Sequence, residues 1–425
     1  MEVSPGTCVV VGGGPAGMIA SLLLARAGVE VTVLEKHRDF LRDFRGDTVH
    51  ASTLTLLDEL GLGEQFARLP ARYLVQAGVD LDAGHVEIAD LRRLPGAHQH
   101  IALVPQWDFL ELVAAACRAE PTHRLLMGAE VVDVLGAARG VHGVRYRHNG
   151  TEQELAADLV VACDGRTSAV RTSVGRRARE FGVPIDVLWF RLPRHDDDPI
   201  RGLGRLTRGA MVVLIDRGDY FQLGYLIKKG TDADLRAAGL EAFRDRLVEA
   251  LPWLADRVEA LDSMEDVKLL SVQISRLRRW WAPGLLFIGD AAHAMSPVGG
   301  VGINLAVQDA VAAARRIGPR LASRRLRTLD LAAVQARRWL PTAITQFGQR
   351  LAHRYIVGGG PLGRGRTESV PPALRLLQRF PRLRGVPAYA VAIGLLPEHA
   401  PAWGRRSETP EATSLGDRLA PDLRS

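Results

Sequence analysis

The sequence predicts an α/β protein in which one parallel-sheet domain is left and later re-entered, with a second, mixed sheet laid over it. Three observations predict this. A strand-type run, a glycine turn and a helix-type run open the chain as a βαβ unit. Alternating and long strand-type segments fill the middle, and an apolar strand leading into a second glycine-rich turn returns near residue 285.

Thr7 to Val11 reads as a buried strand, residues 15 to 27 as an Ala/Leu-rich helix, and residues 30 to 35 as a second strand. Residues 51 to 60 and 107 to 119 have helical character, whereas 129 to 135, 141 to 148 and 154 to 162 alternate as antiparallel strands do. Two longer strands follow at 186 to 192 and 210 to 227, the second broken by the turn Asp216-Arg217-Gly218-Asp219. A helix near 235 to 250 precedes the strand Leu285 to Ile288. After about residue 345 the motifs stop, Leu374 to Leu396 mixes arginines with an apolar stretch, and the tail from Arg405 is polar.

With 425 residues, 47% of them hydrophobic, the chain has material for two or three domains. Cys8, Cys117 and Cys163 are scattered without metal-ligand or redox-pair spacing, which points to no metal site and to a reducing cytoplasm. No signal-peptide pattern precedes the early glycine turn, and no apolar run approaches the roughly 20 residues that span a bilayer. The net charge of +7 is spread among interleaved acids rather than gathered in a stripe, so nucleic acid is not indicated; a basic surface suits anionic cofactors.

The chemistry is carried by three glycine-containing turns. Gly12-x-Gly14-Pro15-Ala16-Gly17 lies between the first strand and the first helix, and Glu35, followed by Lys36, ends the second strand. Gly12 permits the tight turn, Gly14 lets a pyrophosphate approach the backbone, Gly17 lets helix pack on strand, and Glu35 accepts from ribose hydroxyls, the pattern of a Rossmann-like dinucleotide site. This motif alone does not separate NAD from FAD. The second turn is Ala162-Cys163-Asp164-Gly165-Arg166-Thr167-Ser168-Ala169-Val170-Arg171, and the third runs from Gly289-Asp290 through His293 to Pro297, Gly299, Gly300, Gly302, Ile303 and Asn304. The third also makes physical sense by itself: its loop backbone can press on a flat ring, and the helix starting near Ile303-Asn304 brings a positive dipole end to it.

In order and across about 300 residues, these turns resemble the FAD-dependent aromatic hydroxylases related to p-hydroxybenzoate hydroxylase, the class A flavoprotein monooxygenases. The resemblance implies a discontinuous Rossmann-like FAD-binding domain (1–75, 101–182 and 267–345), a mixed-sheet substrate domain (76–100 and 183–266), a helical C-terminal region (346–404) and a mobile tail (405–425). It places Asp164, Gly165 and Arg171 near the flavin pyrophosphate and the nicotinamide nucleotide, Gly289 and Asp290 at the ribityl chain, Arg45 over the isoalloxazine, and Gln106 at the ribityl and adenine side. It implies FAD as cofactor, NADPH or NADH as reductant, and O2 activated through a flavin C4a-hydroperoxide to hydroxylate a planar apolar or aromatic substrate of specialised metabolism.

In the substrate layer Trp189, Phe190, Arg191, Met211, Tyr220, Phe221, Gln222 and Tyr225 alternate, so half must point away; Trp189, Arg191, Tyr220 and Gln222 are the candidates for the pocket. No catalytic residue declares itself. His293 is better explained by packing under its loop, and His50, His100 and His353 show no partner signal. Alternatives stay open: an alkene epoxidase, an isoprenoid double-bond reductase, or a non-redox FAD-containing cyclase or binding protein. Monomer and homodimer are both compatible with the sequence, and the Arg-rich C-terminal stretch is free to pack on the first domain, to dimerise, or to rest on a membrane surface.

Overall fold

A computed structural model describes residues 5–41, 48–198, 204–207, 210–359 and 370–407. Thr7–Val11, whose last four residues are apolar and buried, lies inside a six-stranded sheet. Across that sheet the strands run Trp281–Ala282, Leu285–Phe287, Leu159–Ala162, Thr7–Val11, Glu30–Glu35 and His123–Met127, parallel except at the Trp281 edge. Strands buried on both faces read as continuous apolar runs, and alternation sorts their two sides. Cys8 and Val10 join the core made with helices Pro15–Arg26, Gln106–Arg118 and Gly302–Ala322, whereas Val9 and Val11 join the core under a three-stranded antiparallel sheet, Ala129–Val134, Gly143–His148 and Thr151–Ala156.

The stretch expected as one strand over 154 to 162 is two. It breaks at Asp158, whose carboxylate accepts from the Thr7 amide at 2.8 Å, and the apolar remainder inserts into the parallel sheet. The expected helix over 235 to 250 is likewise two helices, Asp232–Ala237 and Gly239–Ala250, separated where Gly239 takes φ +88°.

The second sheet has seven strands in the order Lys268–Leu270, Ile185–Pro193, Tyr220–Lys228, Ala210–Asp216, Gly204–Thr207, Gln76–Leu81 and Gly84–Asp90. It therefore combines strands from 76 to 90 with strands from 185 to 270. Its outer face, with Leu188, Phe190, Phe221, Leu223 and Tyr225, packs on Phe243 and Leu247 of the helix Gly239–Ala250. Its inner face, with Val187, Trp189, Ile215 and Leu226, shares a core cluster with Val298 of the third glycine loop and with Ala388 and Ala392 near the C-terminus.

The C-terminal region is helical and packed against the rest of the molecule. Thr328–Arg354 runs unbroken through residue 345, where the motifs end, and is followed by Pro372–Arg379 and Gly385–Ala392. Glu398 is buried and pairs with Arg315 at 2.8 Å and Arg337 at 2.6 Å. Arg26 Nη1 donates to the Gly404 carbonyl at 2.8 Å, and Arg405 pairs with Glu59 at 3.0 Å. The expected mobile tail thus begins with an anchored residue; 408–425 lie outside the described residues. Among the described residues no helix is long and apolar enough to cross a membrane.

Candidate functional site

The three glycine turns meet at the carboxyl ends of Thr7–Val11, Leu159–Ala162 and Leu285–Phe287 because these strands are parallel neighbours. Gly12 takes φ +99°, and a Cβ there would stand 2.6 Å from the Cys163 carbonyl of the second turn. A Cβ on Gly17 would meet the Gly12 carbonyl at 2.0 Å, so this glycine is demanded by the fold. A Cβ on Gly14 would meet no atom of the described residues within 4 Å. Gly14 is the N-cap of the helix whose first residues are Pro15 and Ala16; among the described residues no side chain caps that end, and its first turn holds no acid. Open space in front of uncapped amides is what a phosphate requires.

Glu35 is buried, and its two oxygens are engaged. Oε2 accepts from the Gly13 amide at 2.7 Å, while Oε1 accepts from the His37 amide at 3.0 Å and contacts His37 Nδ1 at 2.5 Å. A carboxylate has about four acceptor positions, so these bonds orient Glu35 without exhausting it. Sequence reasoning missed His37, which a motif ending at Glu35 does not include. Lys36 is exposed.

In the second turn Gly165 takes φ +82°. Asp164 Oδ2 accepts from the Val170 amide at 3.1 Å, but its buried Oδ1 has no partner among the described residues. Burial pushes this carboxyl above the ordinary aspartate value, against the hydrogen bonds from Ser168 and Val170. Arg171 spends its guanidinium on protein carbonyls, donating from Nη1 to Ala291 at 2.9 Å and from Nη2 to Arg166. It staples the second turn to the third. Asp290 is half-buried beside Ala291.

The third turn is held from behind. Asp309 Oδ2 accepts from the Gly289 amide at 3.1 Å and lies 2.5 Å from His293 Nε2, and Arg338 Nε donates to Oδ1 at 3.0 Å. His293 is therefore part of a buried support, as its place under the loop suggested. Further along, the helix Thr328–Arg354 grips the loop with residues spaced three and four apart. Gln346 Nε2 donates to the Ser275 and Ala294 carbonyls at 2.9 and 3.0 Å. Gln349 Nε2 donates to the Ser296 and Val298 carbonyls at 2.9 and 3.0 Å, and its Oε1 accepts from the Ser296 amide at 3.2 Å. His353 Nε2 lies 2.8 Å from Ser296 Oγ. So His353, which showed no partner in the sequence, has one that is distant along the chain; His50 likewise meets the Val391 carbonyl at 2.8 Å.

Pro297 is half-buried, and Gly299 and Gly300 take φ +84° and +64°. The Gly300 carbonyl accepts from Thr48 Oγ1 at 3.1 Å. Gly302 opens the helix Gly302–Ala322, with Ile303 and Asn304 in its first turn. Asn304 Oδ1 accepts from Ser52 and Thr53 at 2.7 Å each, tying this helix to Ala51–Glu59, while its buried Nδ2 has no partner among the described residues. Gln106 is the half-buried first residue of Gln106–Arg118. Arg45 lies outside the described residues.

On the seven-stranded sheet Trp189 and Arg191 alternate onto the same face, and the register sets Gly224 and Gln222 opposite them and Tyr220 opposite Pro193. Strand parity puts Trp189, Arg191, Tyr220 and Gln222 on the inner face and sends Phe190, Phe221 and Tyr225 to the outer one. Trp189 Nε1 is buried without a partner among the described residues. Gln222 Oε1 is held by Arg217 at 3.1 Å, and the Arg191 guanidinium lies 4.8 Å from the Tyr220 ring centroid.

The family model described as FAD binding domain matches residues 6–348. The chain belongs to this family. This flavoprotein is 35% identical over 387 residues to 6-methylpretetramide 4-monooxygenase of Streptomyces rimosus, across 89% of this chain and 90% of the relative. Among solved structures it resembles OxyS anhydrotetracycline hydroxylase from Streptomyces rimosus, with a TM-score of 0.72 and 23% identity over 91% of this chain and 76% of that one. It also resembles the Diels-Alderase PyrE3 from the biosynthetic pathway of pyrroindomycins, with a TM-score of 0.70 and 20% identity over 91% of this chain and 80% of that one. These two likenesses show the fold. Family and relative together make the flavoprotein an FAD-dependent monooxygenase, a class that takes its electrons from NAD(P)H.

The described residues fit FAD. The space before Gly14, the uncapped helix end, and the unpartnered buried oxygen of Asp164 and amide of Asn304 are what a phosphate- and hydroxyl-bearing cofactor uses.

Proposed function

We propose that the flavoprotein hydroxylates a planar, fused-ring aromatic molecule of the kind named in its relative 6-methylpretetramide 4-monooxygenase. One observation carries this reading: the inner face of the seven-stranded sheet, with Val187, Trp189, Ile215 and Leu226, packs in one cluster with Val298 of the loop that follows Asp290. An apolar face beside the cofactor loop suits a flat ring system, and the unpartnered Trp189 N–H offers one donor to a substrate oxygen.

In this reading Gly12, Gly14, Pro15, Ala16, Gly17 and Glu35 hold the adenosine and pyrophosphate of FAD. Asp164, Gly165 and Asp290 accept from or cradle its polar chain, and Pro297 to Asn304 lie against its ring. FAD, when bound, supplies reduction by NAD(P)H and oxygen activation. The chain supplies position and dryness: Arg171 fixes two turns together, Gln346 and Gln349 hold the loop, and the inner sheet face excludes water. The buried or half-buried free thiols Cys8, Cys117 and Cys163 suit a reducing cytoplasm.

The likeness to PyrE3 shows that this fold is shared with a Diels-Alderase, so electron transfer is what must be tested. The purified protein is expected to show flavin bands and, in air, to consume NADPH and oxygen in step with hydroxylated product when offered polycyclic phenols. Flavin that neither nicotinamide nucleotide reduces with any of these substrates would overturn the reading in favour of non-redox chemistry.

A further inference from the structure

A second concave surface is bounded by arginines. A cavity of ≈ 690 Å³ is lined by Arg176, Arg177, Arg278 and Arg279, with Leu277 and Trp281. Among the described residues no carboxylate lines it, and none of the four guanidinium groups forms an ion pair. Some arginines elsewhere are matched with acids, as Arg145 is with Glu154 at 3.0 Å and Arg205 with Asp82 at 2.7 Å. Like charges gathered without a counter-ion cost free energy that an anionic ligand returns. Burial lowers the pKa of Arg176, and the neighbouring charge of Arg279 lowers it further.

The rim is built rather than draped. Arg176 Nη1 donates to the Arg279 carbonyl at 2.7 Å. Gln335, which also lines the cavity, accepts from the Trp280 amide at 3.0 Å and donates to the Arg278 carbonyl at 2.9 Å. The Arg279 guanidinium stacks over the half-buried Trp281 ring at 5.0 Å, which holds it in place at the rim. The cavity also shares its wall with the cofactor turns. The Leu277 amide donates to the Ala292 carbonyl at 2.8 Å, and the Arg176 amide donates to the carbonyl of Arg171, whose side chain reaches Ala291.

We propose that this cavity binds the phosphorylated adenosine end of the reductant, and so selects NADPH over NADH; this rests on the monooxygenase reading for the identity of the reductant. The depression is broadly open to solvent, and its arginines are spread over a wider area than one inorganic phosphate covers. The forked donors suit a ribose 2′-phosphate and pyrophosphate, and the stacked Arg279 guanidinium offers a flat cation to a purine face.

The test uses holoenzyme and two readouts. Adenosine 2′,5′-bisphosphate, 5′-AMP and inorganic phosphate are titrated while tryptophan fluorescence is followed, and steady-state constants for NADPH and NADH are compared in the parent, Arg278→Ala and Arg279→Ala proteins. The bisphosphate is expected to bind about tenfold more tightly than 5′-AMP and to compete with NADPH, and each variant to raise the NADPH KM about tenfold more than the NADH KM. Equal binding of inorganic phosphate and bisphosphate would mark an adventitious anion site only and overturn the proposal. Equal effects on the two nucleotides, or no effect, would overturn it too. If neither nucleotide reduces the flavin, the monooxygenase reading fails, while the bisphosphate isotherm and its loss in the variants still decide the cavity's ligand class.

Discussion

Asp309 holds the buried imidazole of His293 at 2.5 Å, and with the same carboxylate it takes the Arg338 guanidinium and the Gly289 amide. Burial raises the pKa of Asp309, but the charges and hydrogen bonds of His293 and Arg338 outweigh that and hold it below the ordinary aspartate value. One fully buried acid thus fixes the backbone immediately before Asp290. The same arginine lies 3.7 Å from Glu398, which carries the support on to the C-terminal segment.

Asp309→Asn should therefore destabilise the protein strongly, by about 3 kcal/mol at neutral pH, because it removes the nearer of the two carboxylates that face the buried Arg338 and leaves only Glu398 at 3.7 Å. The sign follows from the depressed folded pKa: the contribution is present above the unfolded aspartate pKa and is lost as pH falls through the folded one. Urea unfolding at pH 7 reads it. An unchanged midpoint with full flavin content would show that the network carries no weight.

Two glycines of one motif should fail differently. Gly17→Ala forces a Cβ onto the Gly12 carbonyl and should prevent normal folding. Gly14→Val enters open space, so the variant should fold, with an unchanged circular dichroism spectrum, yet purify without flavin colour. A yellow Gly14→Val protein would refute the pyrophosphate placement.

Three histidines should make the protein acid-sensitive. Burial lowers His50, His123 and His353 from 6.5 to about 4, with the Val391 carbonyl opposing at His50 and Glu120 opposing at His123. Between these values the unfolded chain binds protons that the folded chain refuses, so stability falls as pH drops from 6.5 towards 4. The urea midpoint should decline over this window, and less steeply in His353→Gln. Parallel curves for the two proteins would exclude His353 as a contributor.

Gln349→Ala removes donors from two loop carbonyls and an acceptor from a buried amide. The loop should loosen without losing the cofactor, since the glycine turns remain. We expect a fall in kcat of roughly tenfold, with a larger share of reductant oxidised without product. Stopped-flow and product analysis would show it; an intact kcat would mean that the loop does not need this grip.

The inner sheet face should govern substrate choice and the outer face should not. Trp189→Phe removes the indole N–H and trims the inner face, and is expected to change relative kcat/KM among aromatic substrates. Tyr225→Phe, on the face packed against Phe243, should leave that ranking unchanged. Equal changes in both would show that Trp189 acts only through general packing.

The sequence by itself determined the βαβ opening, the three glycine turns and the return to the first domain, because each is written locally. A tight turn needs a residue tolerant of positive φ, as at Gly12, and a strand buried on both faces needs an unbroken apolar run, as at Leu285–Phe287. Tertiary structure decided what those turns rest on. Asp309 and Arg338 are 29 positions apart and Ser296 and His353 are 57 apart, distances at which no local pattern announces a partner. Arg171 was legible as a motif residue, yet only the approach of two parallel strands shows its guanidinium joining the turns. Which aromatics face the third glycine loop was likewise left open by alternation alone. A strand has two faces of equal spacing, and only the pairing register and the surfaces packed on each side choose between them.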